Sequence, residues 1–338
     1  MLILGIESSC DETAGAVCNN GTIVSNVVLS QEVHHKFGGV VPEIASREHD
    51  SQISSIIDKT LEKASITYSD INAIAVTYGA GLMGALLVGL SYAKGLSIAL
   101  NIPFVGVNHL EGHLYASFIS NPEIKYPYLC LLVTGGHTQI WEVQSPGNYI
   151  LHSTTIDDAA GEAFDKGARI LGLAYPGGPE IEKMAVNGDP KRYQFSIPKI
   201  KSSPLDFSFS GLKTALLYKY REMSQNEQKE NVHHLAASYQ EIILKSLFAQ
   251  LNHVIEKTGV EQVSVVGGVA ANKRFRSMAE SLNNDTATID IVFPPMEYCT
   301  DNAAMIAMAG YEKLKNGVYS PLTLKANPNL ALNDGAMT

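Results

Sequence analysis

The 338-residue sequence predicts an α/β fold built as a duplicated pair of lobes around a central nucleotide cleft. Two observations carry this. The succession strand, small polar loop, strand, turn, strand opens the chain and begins again at Tyr128. A strand, a glycine turn and a helix then follow in each half. The interval between the copies is far longer than a solenoid repeat, so it signals duplication of a whole lobe.

In the first half, Leu2 to Ile6 is an apolar run that reads as a strand. It meets the loop Glu7-Ser-Ser-Cys-Asp-Glu-Thr13 and a second strand from Ala14 to Cys18. Asn20-Gly21 is a hairpin signal, and Thr22 to Leu29 completes the meander. Ile71 to Thr77 then reads as a buried strand, Gly79-Ala-Gly81 as a turn, and a buried helix starts near Leu82. In the second half Tyr128 to Val133, Thr138 to Val143 and Tyr149 to Ser153 form the meander, with Thr134-Gly-Gly-His137 as its small loop. Gln262 to Val266 and Gly267-Gly268 repeat the strand and turn. Two such halves make the architecture of the actin, Hsp70 and sugar-kinase class, in which hairpin loops face nucleotide phosphates. Asn121-Pro122 breaks the chain, so lobes at 1–124 and 125–318 are expected, with an inserted segment near 157–222 and a returning tail at 319–338.

A hydrophobic fraction of 45% against 17% charged residues supports a packed core rather than disorder. A net charge of −9 argues against a protein that coats nucleic acid non-specifically. One segment inverts that charge: Lys191 to Arg221 holds seven basic residues and one acid, Asp206. It is either a solvated face or a docking surface for a polyanion such as RNA. Cys10, Cys18, Cys130 and Cys299 form no Cys-x-x-Cys pair, which fits a reducing compartment. The opening residues lack a basic n-region and do not read as a signal peptide. Ala73 to Ala93 is free of charge but contains turn glycines, so it reads as strand and helix rather than a membrane span.

The most informative local feature is the run Val105-Gly-Val-Asn-His-Leu-Glu-Gly-His-Leu114. On a helix, His109 and His113 share a face one turn apart and can grip one metal ion. The alternative is a pair of ordinary helix histidines. Glu111 falls on another face, so the general base of a zincin protease is missing. Asp301 could add a third ligand, or serve as a helix N-cap. Thr134-Gly-Gly136 offers backbone N–H groups to an anion, unless it is an ordinary tight hairpin, and Gly267-Gly268 opens a helix that supplies further N–H donors. Asn272, one turn into the following helix, could reach a nucleotide, and Asp165 suits a ribose hydroxyl. Tyr175-Pro-Gly-Gly-Pro179 is a rigid turn against which a flat ligand could lie.

Gly5-Ile-Glu-Ser-Ser-Cys-Asp-Glu-Thr13, Gly38-Gly-Val-Val-Pro-Glu43, Ala45-Ser-Arg47 and Asn108-His-Leu-Glu-Gly-His113 resemble motifs of the TsaD/Gcp family. So do Leu132-Val-Thr-Gly-Gly-His-Thr138, Gly161-Glu-Ala-Phe-Asp-Lys166, Tyr175-Pro-Gly-Gly-Pro179, Phe207-Ser-Phe-Ser-Gly-Leu-Lys-Thr214, Gly267-Gly-Val-Ala-Ala-Asn272 and Cys299-Thr-Asp-Asn302. They keep the family's order over nearly the whole chain. Departures are Phe37 where Tyr is common, and Thr134 and Ala270 in place of frequent serines. The resemblance implies an ASKHA fold and one divalent metal ion, iron foremost with zinc as the alternative. It implies a cytoplasmic acyltransferase that moves the threonylcarbamoyl group of threonylcarbamoyl-AMP to N6 of adenosine 37 in tRNAs reading ANN codons. Carried over by motif, His109, His113 and Asp301 resemble metal ligands. Leu132, Val133, Thr134, Gly135, Gly136, Asp165, Gly178, Glu182 and Asn272 resemble the substrate-binding set. Asp11 and Glu12 are the acids expected to accept the amine proton or order the site. The implied partners are TsaB and TsaE, with TsaC supplying the adenylate and no membrane. Alternatives are a phosphotransferase of the same fold, a zinc endopeptidase and a non-catalytic nucleotide-binding scaffold.

Overall fold

The computed structural model describes residues 1–196, 200, 203–285 and 289–335. The chain forms two compact units, one from Met1–Ile124, Ser145–Tyr149 and the residues from Pro294 onward, the other from Lys125–Gln144 and Ile150–Phe293. Residues 294–318, expected with the second lobe, group here with the first unit. The physical reason is a late helix that packs on the first sheet, described next.

The first unit is a five-stranded sheet made by β1 (Leu2–Glu7), β2 (Glu12–Asn19), β3 (Thr22–Ser30), β4 (Ala73–Gly79) and β5 (Phe104–Asn108), in the order β3-β2-β1-β4-β5. β1 runs antiparallel to β2 and parallel to β4, and β4 runs parallel to β5. Between the strands lie α1 (Pro42–Ala64), α2 (Met83–Leu100) and α3 (His109–Ala116). Side chains alternate across a strand. Leu4 and Ile6 therefore join Ile53, Ile57 and Leu61 of α1 and Leu90 of α2 in one core. The opposite face of β1 carries Gly5 and Glu7.

The second unit repeats the plan. β6 (Tyr128–Val133), β7 (Thr138–Ser145), β8 (Asn148–Thr154), β9 (Gln262–Val266) and β10 (Asp290–Val292) are ordered β10-β9-β6-β7-β8, which is the first sheet strand for strand when read backwards. β6 is again antiparallel to its hairpin partner and parallel to the crossover strand. Its helices are α4 (Ala160–Ile170), α5 (Gly177–Ala185), α6 (Ser210–Arg221), α7 (Gln225–Thr258) and α8 (Lys273–Asp285). The first three fill the predicted insertion.

α9 (Ala303–Lys315) returns to the first unit and packs on β1, β2, β4 and α3. Gly5 permits this approach: a Cβ there would stand 2.6 Å from the Ala303 carbonyl. The tail follows it back, with the Ser320 N–H donating to the Phe104 carbonyl at 2.9 Å and the Asn327 N–H to Tyr78 at 2.8 Å.

Candidate metal centre and substrate loops

The metal-binding candidates assemble within the first unit. The Asn108 side chain ends β5 and starts α3 by accepting from the Leu110 N–H at 2.9 Å. His109 is thus the first residue of α3 and His113 lies one turn on, with ring centroids 4.8 Å apart. Asp301 is not the cap of α9, as its sequence position allowed. Asn302 takes that role, accepting from the Met305 N–H at 3.0 Å. Asp301 can therefore turn to the histidines. Its Oδ1 lies 3.1 Å from His113 Nε2 and 3.6 Å from His109 Nε2. One ligand atom from each of the three residues lies within 4.8 Å of the others.

Two features make this group fit a cation. His113 is fully buried, and neither ring nitrogen makes an aligned hydrogen bond, Nε2 facing Asp301 Oδ1 at 3.1 Å. An unsatisfied buried nitrogen costs about 1–3 kcal/mol, which a bound metal would remove. His109 is oriented from behind: Glu7 Oε2 and Ser9 Oγ sit 3.2 and 3.0 Å from Nδ1, leaving Nε2 to face Asp301. A carboxylate behind a ligating imidazole is the usual support of a metal histidine. Glu7 was read as a loop residue, but it ends β1, buried, and also accepts from Thr77 Oγ1 at 2.6 Å. Two imidazoles and a carboxylate suit divalent iron or zinc and leave positions open for substrate. Burial disfavours a charge on His109, but Asp301 and Glu7 outweigh it and hold its pKa up to about 9. Glu7 responds in kind: burial would raise its carboxyl, and His109 draws it below the usual range.

Glu111 lies off the histidine face and is buried. It accepts from Tyr149 Oη at 2.9 Å and pairs with Lys313 Nζ of α9 at 3.0 Å. It thereby ties α3 to the helix that follows Asp301. The acidic loop lies in this same unit. Burial, then Asp301 and Asp11, push the Glu12 carboxyl well above its usual range. Glu12 itself opens β2 rather than sitting in the loop.

The substrate-binding candidates lie in the second unit. Leu132 and Val133 are buried at the end of β6. Thr134 closes a tight hairpin, its hydroxyl accepting from the N–H groups of His137 at 2.9 Å and Gly136 at 3.3 Å. Space remains open above the loop, since a Cβ at Gly135, Gly136, Gly178 or Gly268 would meet nothing within 4 Å. Gly267 is held at φ +96° with its α-carbon against Val133, where a Cβ would stand 2.4 Å from the carbonyl.

Asp165, Glu182 and Asn272 each hold a helix start. Asp165 Oδ1 accepts from the Gly177 N–H at 2.7 Å, and burial raises its carboxyl despite that bond. Glu182 Oε1 accepts from the Lys273 N–H at 3.0 Å. Asn272 was expected one turn inside a helix. A short 3₁₀ turn over Gly268–Ala271 intervenes instead, and Asn272 caps α8 through Phe275 N–H at 3.0 Å while donating to Gln240 Oε1 at 2.8 Å. The backbone of the N-termini of α5 and α8, rather than a free Asn272 amide, is what these residues present. No sequence signal marked Gln240, which comes from α7 far along the chain.

Of the basic segment, Lys191, Arg192, Lys213 and Arg221 are exposed, and Lys199 and Lys201 lie outside the described residues.

The family model described as "TsaD: tRNA N6-adenosine threonylcarbamoyltransferase" matches residues 22–308. A relative from Thermosipho africanus bearing that enzyme name is 49% identical over 98% of this chain and 100% of its own length. One of the same name from Kosmotoga olearia is 50% identical over 98% and 99%. Among solved structures, HypF of T. kodakarensis aligns with TM-score 0.62 at 14% identity, over 94% of this chain and 48% of that one. The activator of 2-hydroxyisocaproyl-CoA dehydratase from Clostridium difficile aligns with TM-score 0.52 at 17% identity, over 94% and 97%. At these identities the structural likenesses establish the fold alone, and it is the ASKHA fold.

Proposed function

The chain belongs to the TsaD family of tRNA N6-adenosine threonylcarbamoyltransferases, and from that premise we propose how its residues carry the transfer. The enzyme moves the threonylcarbamoyl group of threonylcarbamoyl-AMP to the N6 amine of adenosine 37 in tRNAs reading ANN codons. One observation carries the residue assignment: His109, His113 and Asp301 converge within 4.8 Å in a chain 49% identical to a relative of that name.

His109 Nε2, His113 Nε2 and Asp301 Oδ1 would hold a divalent metal, iron foremost and zinc second. When bound it supplies a Lewis acid for an oxygen of the threonylcarbamoyl group. The open face over Gly135-Gly136 and the N-termini of α5 and α8 receive the AMP phosphate and sugar. Leu132 and Val133 set that loop, and Asp165, Gly178, Glu182 and Asn272 shape the helix starts. The adenine amine attacks the carbamoyl carbon, a C–N bond forms, and the C–O bond to AMP breaks. The amine proton passes to the Asp11–Glu12 carboxyl pair, where burial, Asp301 and Asp11 raise the Glu12 carboxyl and so make it a stronger proton acceptor. The base must be splayed from its stack to be reached. The exposed cations Lys191, Arg192, Lys213 and Arg221 contact the tRNA backbone.

TsaB and TsaE are the proposed protein partners, with TsaC supplying the adenylate. The TsaB surface is the groove of about 350 Å³ between α1 and α2, lined by Asp50, Ile53, Leu87, Val88, Ser91 and Tyr92. Among the described residues, α2 is the one helix long and apolar enough to cross a membrane. Its Ala85, Leu86, Gly89, Leu90 and Ala93 pack inward, so we read it as a helix packed on the sheet, and the match to tRNA-modifying relatives supports a cytoplasmic enzyme.

The test is to incubate the chain with TsaB, TsaE, ATP, threonylcarbamoyl-AMP and an unmodified tRNA reading ANN codons, then digest and analyse the nucleosides by mass spectrometry. Threonylcarbamoyladenosine that requires this chain is expected. Its absence, with phosphate passed from ATP to an acceptor, would favour a phosphotransferase.

A further inference from the structure

We propose that His49 is a positioning residue for the acidic loop, fixing from α1 the backbone that carries Asp11 and Glu12. The inference rests on the reading of that pair as the acids of the transfer.

His49 occupies an apolar stripe. Ile53 and Ile57 follow it at helical spacing, and all three are buried. An imidazole there loses the hydration of two ring nitrogens, a penalty an aliphatic side chain would avoid. Both nitrogens are spent on the stretch Cys10–Thr13, where the loop runs into β2. Nε2 lies 2.9 Å from the Cys10 carbonyl, and Nδ1 lies 2.7 Å from Thr13 Oγ1. A carbonyl can only accept, so Nε2 carries the proton. Burial lowers the His49 pKa and keeps the ring neutral, which leaves Nδ1 to accept from the Thr13 hydroxyl. Cys10 precedes Asp11 and Thr13 follows Glu12, so the two bonds bracket the acidic pair.

A second fastening reinforces the first. The Gln31 N–H donates to the Asp11 carbonyl at 3.0 Å, and Gln31 Nε2 donates to the Ala45 carbonyl of α1 at 3.2 Å. His34 Nε2 in turn donates to Gln31 Oε1 at 2.8 Å. The near end of the loop is held separately, by the Leu82 N–H on the Ser9 carbonyl at 2.8 Å and by Ser8 Oγ on the Ala85 carbonyl at 2.9 Å. Removing His49 would thus loosen Cys10–Thr13, which Gln31 and the pairing of Glu12 and Thr13 with β3 still hold in part, and leave the end nearest His109 in place.

The experiment compares Thr13→Val, His49→Gln and the parent chain by amide hydrogen exchange and, in parallel, by threonylcarbamoyladenosine formation with TsaB and TsaE. Thr13→Val deletes one bond with little change of shape and covers the case in which His49→Gln fails to fold. Exchange at residues 10–13 should quicken by about tenfold, in keeping with the loss of one buried hydrogen bond, while β4 and α9 stay protected. The kcat should fall by a similar factor, with KM for tRNA and metal content unchanged. Unchanged exchange at 10–13, an unchanged kcat, or a rate loss that tracks metal loss would overturn the inference. A parent chain that makes no product would sink the functional reading, while the exchange result would still decide the role of His49.

Discussion

At the residue scale, the proposed metal site depends on what stands behind its candidate ligands. Glu7→Gln removes the charge that steadies His109 Nδ1 while keeping the shape. Metal affinity should fall by roughly tenfold or more, read by competition with a chromophoric chelator; unchanged affinity would show that Glu7 does not support the ligand. A pH effect follows from the same pair. The metal-free His109 pKa stands at about 9 against an ordinary 6.5. A raised pKa stabilises the fold below the unfolded value, and that gain is lost as pH rises through the folded one. Metal-free protein should therefore lose melting temperature between pH 6.5 and 9 more steeply than its His109→Gln variant. The His pair was legible because helical spacing is local. Glu7 was not, because β1 had to be followed one residue further and its partner lies 102 positions away.

Elements are where distant side chains take over jobs that local sequence leaves undone. α6 has no capping side chain of its own. Asp157 supplies one from another loop, accepting from Phe209 N–H at 2.8 Å, Ser210 N–H at 3.2 Å and the hydroxyls of Ser208 and Ser210. These bonds offset the effect of burial and hold its carboxyl below the usual range. The stability it gives is present above the unfolded pKa and disappears as pH falls through the folded value. Asp157→Ala should cost about 1 kcal/mol at neutral pH, with faster exchange confined to α6. Equal stability of variant and parent at neutral pH would remove the cap from the account. On α2, Leu87 is 47% exposed beside the groove. Leu87→Lys should weaken TsaB binding in calorimetry with little change in melting temperature, and unaltered binding would move the partner to another surface. Eight strands were legible from apolar runs, most with ends that moved by one or two residues, but β5 (Phe104–Asn108) and the three-residue β10 (Asp290–Val292) were not read as strands. The helix after Gly267-Gly268 began later than expected because a 3₁₀ turn comes first.

For the whole molecule, duplication was the most legible property, since each copy carries its own strand and turn signals. The mirrored order of the two sheets bears it out. The destination of α9 was not legible. Nothing in Ala303–Lys315 names the sheet it packs on, and the small side of that contact is a glycine in β1. That return delivers Asp301 to the histidines, so the candidate metal group is a product of tertiary structure. The most direct test is elemental analysis of the purified parent and His113→Ala, with threonylcarbamoyladenosine formation measured on the same samples. One iron or zinc per parent chain, lost from the variant together with transfer, is the predicted result. A variant that keeps its metal, or that modifies tRNA at the parental rate without it, would contradict the assignment.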